Sequence, residues 1–552
     1  MLRRIAKFFA WSTGLIILGI IGLIIYVRLV AAIDEPVPES LAPLNAEVIE
    51  ADTGLFKLNN NWFKQSETGL YELYVEGDPF ERGVANGRLT RELVHRQEVV
   101  FTEQIKRLVP SDFYLGVLKY FVGWFNRNLE DNVIEEYQLE ILGVSYYASH
   151  EFDKIAPPYQ RILNYHAAHD IGHALQNMSL VGCTAFATWG TASEDSTLII
   201  GRNFDFYVGD DFARDKLIAF YNPSSGYKFM MVTFGGMTGV LSGMNDQGLT
   251  VTINAAKSDV PSASATPVTL VTREILQYAS TIAEAYDIVA KRKMFVSESF
   301  LIGSAKEGKA ALIEKSPEAI DLVQANGNAI MSTNHFLGDE LGMTQLNQIH
   351  VKTSASNYRY QRLKELLGRS DQNSIQKTAT ILRDQKGIND KDIGLGNEKA
   401  INQLVAHHAV VFQPERKRMW ISTAPWQLGK FICYDMDKAF AYEAIENEEI
   451  YEQALTIPED SFLLTSTYKD YVKFSKYRFP FNPQSDLNPD SVVKWNPNSY
   501  HAYMLAADYY FEKKQWAEAI PFYERGLTKE VATMQERYHM EKNLEKSKEH
   551  MK

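Results

Sequence analysis

At Gly182 the hydrophobic pattern of this chain changes period, and that change limits the folds open to it. From Phe80 to about Leu175 apolar residues recur at three- and four-residue spacing, as in Phe101-Ile105-Leu108 and Val133-Tyr137-Ile141, the mark of amphipathic helices. Past Gly182 come short β-rich runs divided by turn residues: Cys183–Trp189, Thr197–Phe206, Lys216–Tyr221, Lys228–Phe234 and Gly248–Asn254. A helical pair follows over Thr272–Lys293, then strands at Ser299–Ile302, Ala310–Glu314 and Ala329–Asn334. Two more helices, Tyr358–Leu367 and Ser374–Leu382, precede a closing strand pair, His408–Phe412 and Arg418–Ser422. Blocks of strands alternating with blocks of helices predict an α+β chain with sheets held between helical layers.

The two ends differ from this body. Arg3, Arg4 and Lys7 precede an uncharged run, Phe8–Val27, closed by Arg28. Twenty residues at about 1.5 Å each span the ~30 Å core of a bilayer, and the leading positive charges predict a cytoplasmic Met1 with the rest exported. A cleaved signal peptide is the rival reading, because Val30-Ala31-Ala32 has small residues suited to cleavage. At the other end Tyr503, Ala506, Ala507, Tyr510, Ala519 and Tyr523 fall at the offsets of a tetratricopeptide-like helix pair. One such pair cannot bury its own face. It is therefore expected to buttress the body or to dock a protein partner. The expected organisation is a cytoplasmic stub and anchor over 1–33, a linker over 34–72 and a helical segment over 73–182. A catalytic core over 183–445, a connector over 446–498 and the terminal hairpin over 499–552 complete it.

Composition excludes several classes of function. Lys and Arg number 57 against 69 Asp and Glu, a net charge of −12, which argues against a nucleic-acid partner. Two cysteines in 552 residues exclude a disulfide-built scaffold. No phosphate-binding loop or dinucleotide fingerprint is present, so no cofactor is expected. His166, His169 and His173 with Asp170 have spacings that can hold a metal, but a solvated or core stripe is the plainer reading. His407 and His408 read as packing, and so does Cys433 in an apolar strand.

Cys183 stands apart because of its neighbourhood. It opens the first strand directly after Gly182, and Gly201–Phe206 lies about twenty residues on, close enough for a hairpin to return it beside that strand. Strict alternation puts Arg202 and Asp205 on opposite faces, so using both at one site requires a strand end or a bulge. Further polar groups follow at Gly243–Leu249, Asn254, Ser332–Phe336 and Ser356–Arg359.

Together these motifs resemble the N-terminal-nucleophile (Ntn) hydrolases of the autoproteolytic acyltransferase type. Relatives of that type include isopenicillin N acyltransferase, the choloylglycine hydrolases and the N-acylethanolamine and ceramide amidases. The motifs are Gly182-Cys183-Thr184, Gly201–Phe206, Asn245–Leu249 with a following Asn, Thr333–Phe336, and a helix carrying Ser356 and Arg359. Upstream, Glu76–Gly87 resembles the opening of the acyltransferase propeptide. The resemblance implies a four-layer αββα sandwich that cuts its own Gly182–Cys183 bond. A freed Cys183 gains an α-amine with an ordinary pKa of about 7.7–8.0, which can take the thiol proton without a histidine. The substrate implied is a small-molecule N-acyl amide, lipid-like if the apolar segments Phe113–Phe125 and Phe204–Phe212 line an acyl pocket. The reaction implied is hydrolysis or acyl transfer through a thioester that also releases residues 1–182.

The same resemblance assigns roles. Asp205 holds the α-amine, and Arg202 pairs with Asp205 and lowers the thiol pKa. Asn254 is an oxyanion donor, Asn334 orients the amine or completes the oxyanion hole, and Arg359 ties the site together from behind. Each has a plainer alternative: a strand-end ion pair for Arg202 and Asp205, a turn residue for Asn254, a structural role for Asn334 and an exposed helix arginine for Arg359. His335 reads as packing. A catalytically silent scaffold presenting the C-terminal hairpin is the competing function. A conventional cysteine protease lacks any motif that places a histidine beside Cys183.

Overall fold

The computed structural model describes residues 2–109, 111–167, 170, 182–207, 209–257, 264–369, 372–478 and 487–552. Its strands form two sheets. In spatial order the larger holds β1 (Ile49–Asp52), β2 (Leu55–Leu58), β3 (Asn61–Gln65), β4 (Tyr71–Gly77), β7 (Leu217–Pro223), β8 (Phe229–Thr233), β9 (Ser242–Asn245), β10 (Leu249–Ala256), β11 (Ser297–Ser304), β12 (Lys309–Lys315) and β13 (Ile320–Gln324). The smaller holds β14 (Ala329–Ser332), β5 (Thr184–Thr188), β6 (Ile199–Phe204), β15 (His408–Gln413), β16 (Arg418–Ser422) and β17 (Phe431–Asp435).

Strand β7 shows why the sheets stack. Its side chains alternate between faces, and both faces are apolar. Ile218 and Phe220 join Met230, Val232 and Leu312 against Ala185, Ile200, Val410, Ile421 and Ile432 of the smaller sheet. Leu217, Ala219 and Tyr221 point the other way, toward Val271 and Ile275 of the helix Val268–Tyr278 and Ala285 and Val289 of the helix Ile282–Lys291. The outer face of the smaller sheet, with Phe186, Ile199, Val411 and Trp420, is covered by Leu363, Ala379 and Leu382 from the helices Ser356–Leu367 and Ile375–Leu382. The order is helices, sheet, sheet, helices, a mixed α and β architecture.

Upstream of Cys183 the structure differs from expectation. Residues 34–72 are not a linker: β1, β2 and β3 form a meander on the larger sheet. Its turns are two residues long, Thr53-Gly54 with Gly54 at φ 75°, and Asn59-Asn60 with Asn59 at φ 55°. The segment 73–182 is not wholly helical either, because Leu73–Gly77 lie in β4, which pairs in parallel with β7 from Tyr71↔Leu217 to Gly77↔Pro223. Every other ladder among the described residues is antiparallel. A buried triad locks the helices of this segment to the core. Glu140 pairs with Arg82 at 2.9 Å and with Arg273 at 3.1 Å.

The N-terminal helix Leu2–Val30 contains an apolar stretch, Lys7–Val27, long enough to cross a membrane, with Trp11, Leu15 and Leu18 exposed. Beside it packs the helix Asp112–Phe125, on which Phe113, Tyr114, Val117 and Phe121 are exposed. That stretch therefore does not line a pocket as expected. Residues 446–498 are not an irregular connector, since they hold the helices Ser466–Arg478 and Pro489–Trp495. The terminal pair forms over Tyr500–Glu512 and Trp516–Leu527, followed by Met534–His550. Ala502, Leu505 and Ala506 pack with Val492, Phe474 and Tyr471 onto Leu404 and Leu428 of the body.

Candidate active site

Strand β5 lies between β14 and β6 in its sheet and is buried along its whole length. Its register with β6, Thr184↔Asn203 and Ala185↔Arg202, carries on past the strand: the Gly182 N–H donates to the Asp205 carbonyl at 2.9 Å. Cys183 is thereby held against the end of β6. Its Sγ lies 4.0 Å from the Asp205 carbonyl oxygen and 3.9 Å from Nη2 of Arg202. The alternation problem is solved by a strand end. β6 stops at Phe204, and Asp205 sits one residue beyond it.

Arg202 is fully buried, with its guanidinium 4.4 Å from the Phe204 ring centroid. Its Nη1 donates to Ser242 Oγ at 2.7 Å and to the Leu241 carbonyl at 3.3 Å, while Nη2 reaches the Ile253 carbonyl. The expected ion pair with Asp205 is not made, because the fork is taken up by these acceptors and the thiol. Behind Ser242 stands His408, whose Nε2 is 2.9 Å from the same hydroxyl, and His407 Nδ1 is 2.8 Å from His408 Nδ1. Burial holds both imidazoles well below their ordinary pKa, so they are neutral. They are not idle packing, since His408 fixes the hydroxyl that fixes Arg202.

Asp205 is also fully buried, and neither carboxyl oxygen has a hydrogen-bond partner among the described residues. Burial pushes its pKa up to about 7 against the opposing charges of Arg359, Arg202 and Arg478. Burial likewise pushes the Cys183 thiol up to about 11; Arg202 works against this, while Asp205 and Glu298 add to it.

The remaining residues surround this pair. Asn254 on β10 spends its amide N–H on Ser332, 3.3 Å from the carbonyl and 3.2 Å from Oγ. Asn334 donates from Nδ2 to the Ala255 carbonyl at 2.9 Å and accepts from Arg359 Nη2 on its Oδ1. Arg359 is buried rather than exposed, and its Nη1 donates to the Glu398 carbonyl at 2.7 Å. His335 is a packing residue, bonded to Ser356 Oγ at 2.8 Å and neutral through burial. Phe204, Phe206 and Phe212 share one core cluster with Cys183.

Two residues escaped the sequence. Glu298 on β11 is fully buried, with burial, the largest cause, and the nearby Asp170 holding its carboxyl well above the ordinary range. The signal was a carboxylate at the head of a strand, between Ser297 and Ser299 and directly before the apolar run Phe300–Ile302. Gln403 donates from Nε2 to the Gly182 carbonyl at 2.6 Å. Nothing in its loop advertised that contact across 221 residues of sequence. His166 and Asp170 serve structure: His166 bonds the Ile162 carbonyl and Thr238, and Asp170 accepts from the Val268 N–H at 2.9 Å. His169 and His173 lie outside the described residues.

Residues 191–424 match the family described as acyl-coenzyme A:6-aminopenicillanic acid acyl-transferase, a span that takes in Arg202, Asp205, Asn254, Asn334, Arg359 and Gln403 and begins after Cys183. The chain is 23% identical over 338 residues to an uncharacterized protein of Archaeoglobus fulgidus, covering 54% of this chain and 55% of that protein. It is 21% identical over 289 residues to protein dcd1B of Dictyostelium discoideum, covering 49% and 55% respectively. The chain thus spans about half the length of the curated relatives it matches. Among solved structures it is similar to a Caenorhabditis elegans N-acylethanolamine-hydrolyzing acid amidase ortholog (TM-score 0.31, 17% identity, covering 42% of this chain and 93% of that one). It is also similar to a mutant conjugated bile acid hydrolase from Clostridium perfringens (TM-score 0.33, 14% identity, covering 49% and 96%). Over residues 191–424, then, this chain is similar to the acyl-coenzyme A:6-aminopenicillanic acid acyl-transferase family.

Proposed function

We propose that this protein is an N-terminal-nucleophile enzyme that cuts its own Gly182–Cys183 bond and then cleaves or transfers the acyl group of an N-acyl amide. One observation carries the reading: the thiol that follows Gly182 lies between the Arg202 guanidinium and the carbonyl of Asp205, whose buried carboxyl has no hydrogen-bond partner among the described residues. Such a carboxyl is costly to bury alone, and an α-ammonium released beside it removes that cost.

In maturation the Cys183 sulfur attacks the Gly182 carbonyl carbon, the thiol proton passes to the departing Cys183 nitrogen, and a thioester replaces the peptide bond. Water then hydrolyses the thioester, leaving a Gly182 carboxylate, a free thiol and a free α-amine. In turnover the α-amine accepts the thiol proton, the sulfur attacks the substrate amide, and that proton leaves on the departing amine. Water or an amine resolves the acyl-thioester. Asp205 holds the ammonium form, Arg202 stabilises the thiolate, and Asn254 and Asn334 offer amide groups to the oxyanion and the amine.

In this reading residues 8–27 anchor the protein in a membrane with the catalytic part exported. The exposed aromatic face of Asp112–Phe125 beside that anchor favours a lipid-borne acyl amide. The C-terminal helices are a buttress: what would be the docking face of a tetratricopeptide-like pair is packed on the body.

The test is intact mass and N-terminal sequencing of purified chain. Native protein should yield a fragment that begins at Cys183, and Cys183→Ala should stay whole. A Cys183→Ala chain that still splits at this bond refutes the mechanism.

A further inference from the structure

We infer that Gln403 supplies the oxyanion donor for the cut at Gly182–Cys183, and that Arg478, from outside the catalytic layers, holds it in place. The inference rests on the self-cleavage proposed above. Gln403 Nε2 donates to the Gly182 carbonyl oxygen at 2.6 Å. When sulfur adds to the Gly182 carbon, the electron pair of the C=O bond moves to that oxygen, and an amide N–H already aimed at it stabilises the charge without rearrangement. Collapse of the adduct returns the pair, breaks the C–N bond and leaves the proton on the Cys183 nitrogen.

Two further features mark the contact as built. A side chain at position 182 would place its first carbon 2.2 Å from Gln403 Nε2 and 2.4 Å from Oε1, so this approach requires a glycine before the nucleophile. The Gly182 N–H is meanwhile fixed on the Asp205 carbonyl, which leaves the scissile carbonyl turned toward Gln403.

Gln403 is itself held from outside the two sheets. Its backbone carbonyl accepts from Arg478 Nη1 at 2.7 Å, and the same guanidinium contacts the Tyr471 hydroxyl and Glu398, both at 3.3 Å. Arg478 ends the helix Ser466–Arg478 and is buried. The neighbouring Leu404, at φ 54°, packs beneath that helix with Tyr471 and Phe474. The Nδ2 groups of Asn254 and Asn334 are bonded to Ser332 and Ala255, whereas Gln403 already lies on the Gly182 carbonyl oxygen.

The experiment follows fragment formation with time in full-length native, Gln403→Ala, Gln403→Glu and Cys183→Ala chains, with folding checked by thermal melting. Loss of one such donor costs about 10²–10³ in rate, so Gln403→Ala should cut that much more slowly. Gln403→Glu keeps the shape and covers the case in which the alanine chain does not fold. As a neutral acid it can donate, and as a carboxylate it repels the oxyanion. Its cutting rate relative to native should therefore fall from about pH 5 to about pH 8, because both chains gain thiolate as pH rises and only the variant loses its donor. Gln403→Ala cutting within about threefold of native, against the loss expected from one donor, overturns the inference alone, as does a Gln403→Glu profile parallel to the native one. A native chain that stays as whole as Cys183→Ala overturns self-cleavage and this inference together.

Discussion

Asp205 is a costly side chain to bury at this site. Its carboxyl is buried without a donor, with a folded-state pKa near 7 against an ordinary 3.8. A raised carboxyl pKa means that the folded chain holds its proton more tightly than the unfolded one. Its contribution is intact below about pH 4 and is lost as pH climbs through 7, by about 4 kcal/mol. In an uncut Cys183→Ala background, Asp205→Asn should therefore melt higher than its parent at about pH 8, with the gap closing by about pH 4. An asparagine chain that melts no higher at the alkaline end would mean that Asp205 has a partner already. At this scale the sequence was informative where neighbours in sequence are neighbours in space. Arg202 lies on β6 and Cys183 and Asp205 at the adjoining ends of β5 and β6, and their juxtaposition followed from a hairpin. The predicted Arg202–Asp205 pair failed because a guanidinium takes the nearest acceptors, and Ser242 and the Ile253 carbonyl arrive from strands no local pattern could register.

Among the elements, the segment upstream of the proposed cut is built into the larger sheet rather than laid on it as a detachable propeptide. Its strand β4 is laddered in parallel to β7 over seven residues, and β1, β2 and β3 extend the same sheet outward. Glu140, between Arg82 and Arg273, is held ionised below its ordinary pKa by those two guanidinium groups despite its burial. Cutting one peptide bond disturbs none of these contacts. The two fragments should therefore co-elute as one particle under native conditions and separate only in denaturant, read by size exclusion followed by a denaturing gel. Free residues 1–182 in the native eluate would contradict this. Glu140→Ala, which strands two buried arginines, should lower stability by about 3–5 kcal/mol in a urea titration. The strands were hard to read from sequence because β1 is exposed along its length and β2 and β3 are only four and five residues long. Edge strands of that kind carry little apolar periodicity, and the turn residues Gly54 and Asn59 were the available sign. The central strands were legible as strands, but being buried on both faces they gave no alternation from which to order them.

Across the whole molecule, the C-terminal helices are tied to the active site through one segment, residues 391–404. Glu530 receives Lys391 and Lys399 at 2.7 Å each, and its carbonyl accepts from Asn397 Nδ2 at 2.8 Å. Tyr500 donates to Glu398 at 3.0 Å and also contacts Glu536. From the other side, Glu398 meets two buried arginines, its carbonyl taking Arg359 and its carboxylate Arg478. Arg359 leads to Asn334 and Arg478 to Gln403. Helices that begin 65 residues or more beyond the last strand, at Tyr500 against Asp435, are thus linked to two groups at the proposed cut. Two outcomes are then separable. If the helices only add stability, Tyr500→Phe and a chain ending at Asn498 should melt lower yet cut at the native rate whenever they are folded. If they position the segment, both should cut more slowly at temperatures well below their melting points. The truncated chain should be slower than Tyr500→Phe, because it also loses Glu530. Geometry favours the second outcome: Glu398 keeps Arg478 only while its carboxylate is oriented, and Tyr500 is one of the groups that orient it. Fragment formation at the native rate in a folded Tyr500→Phe chain would return the C-terminal helices to a purely structural role.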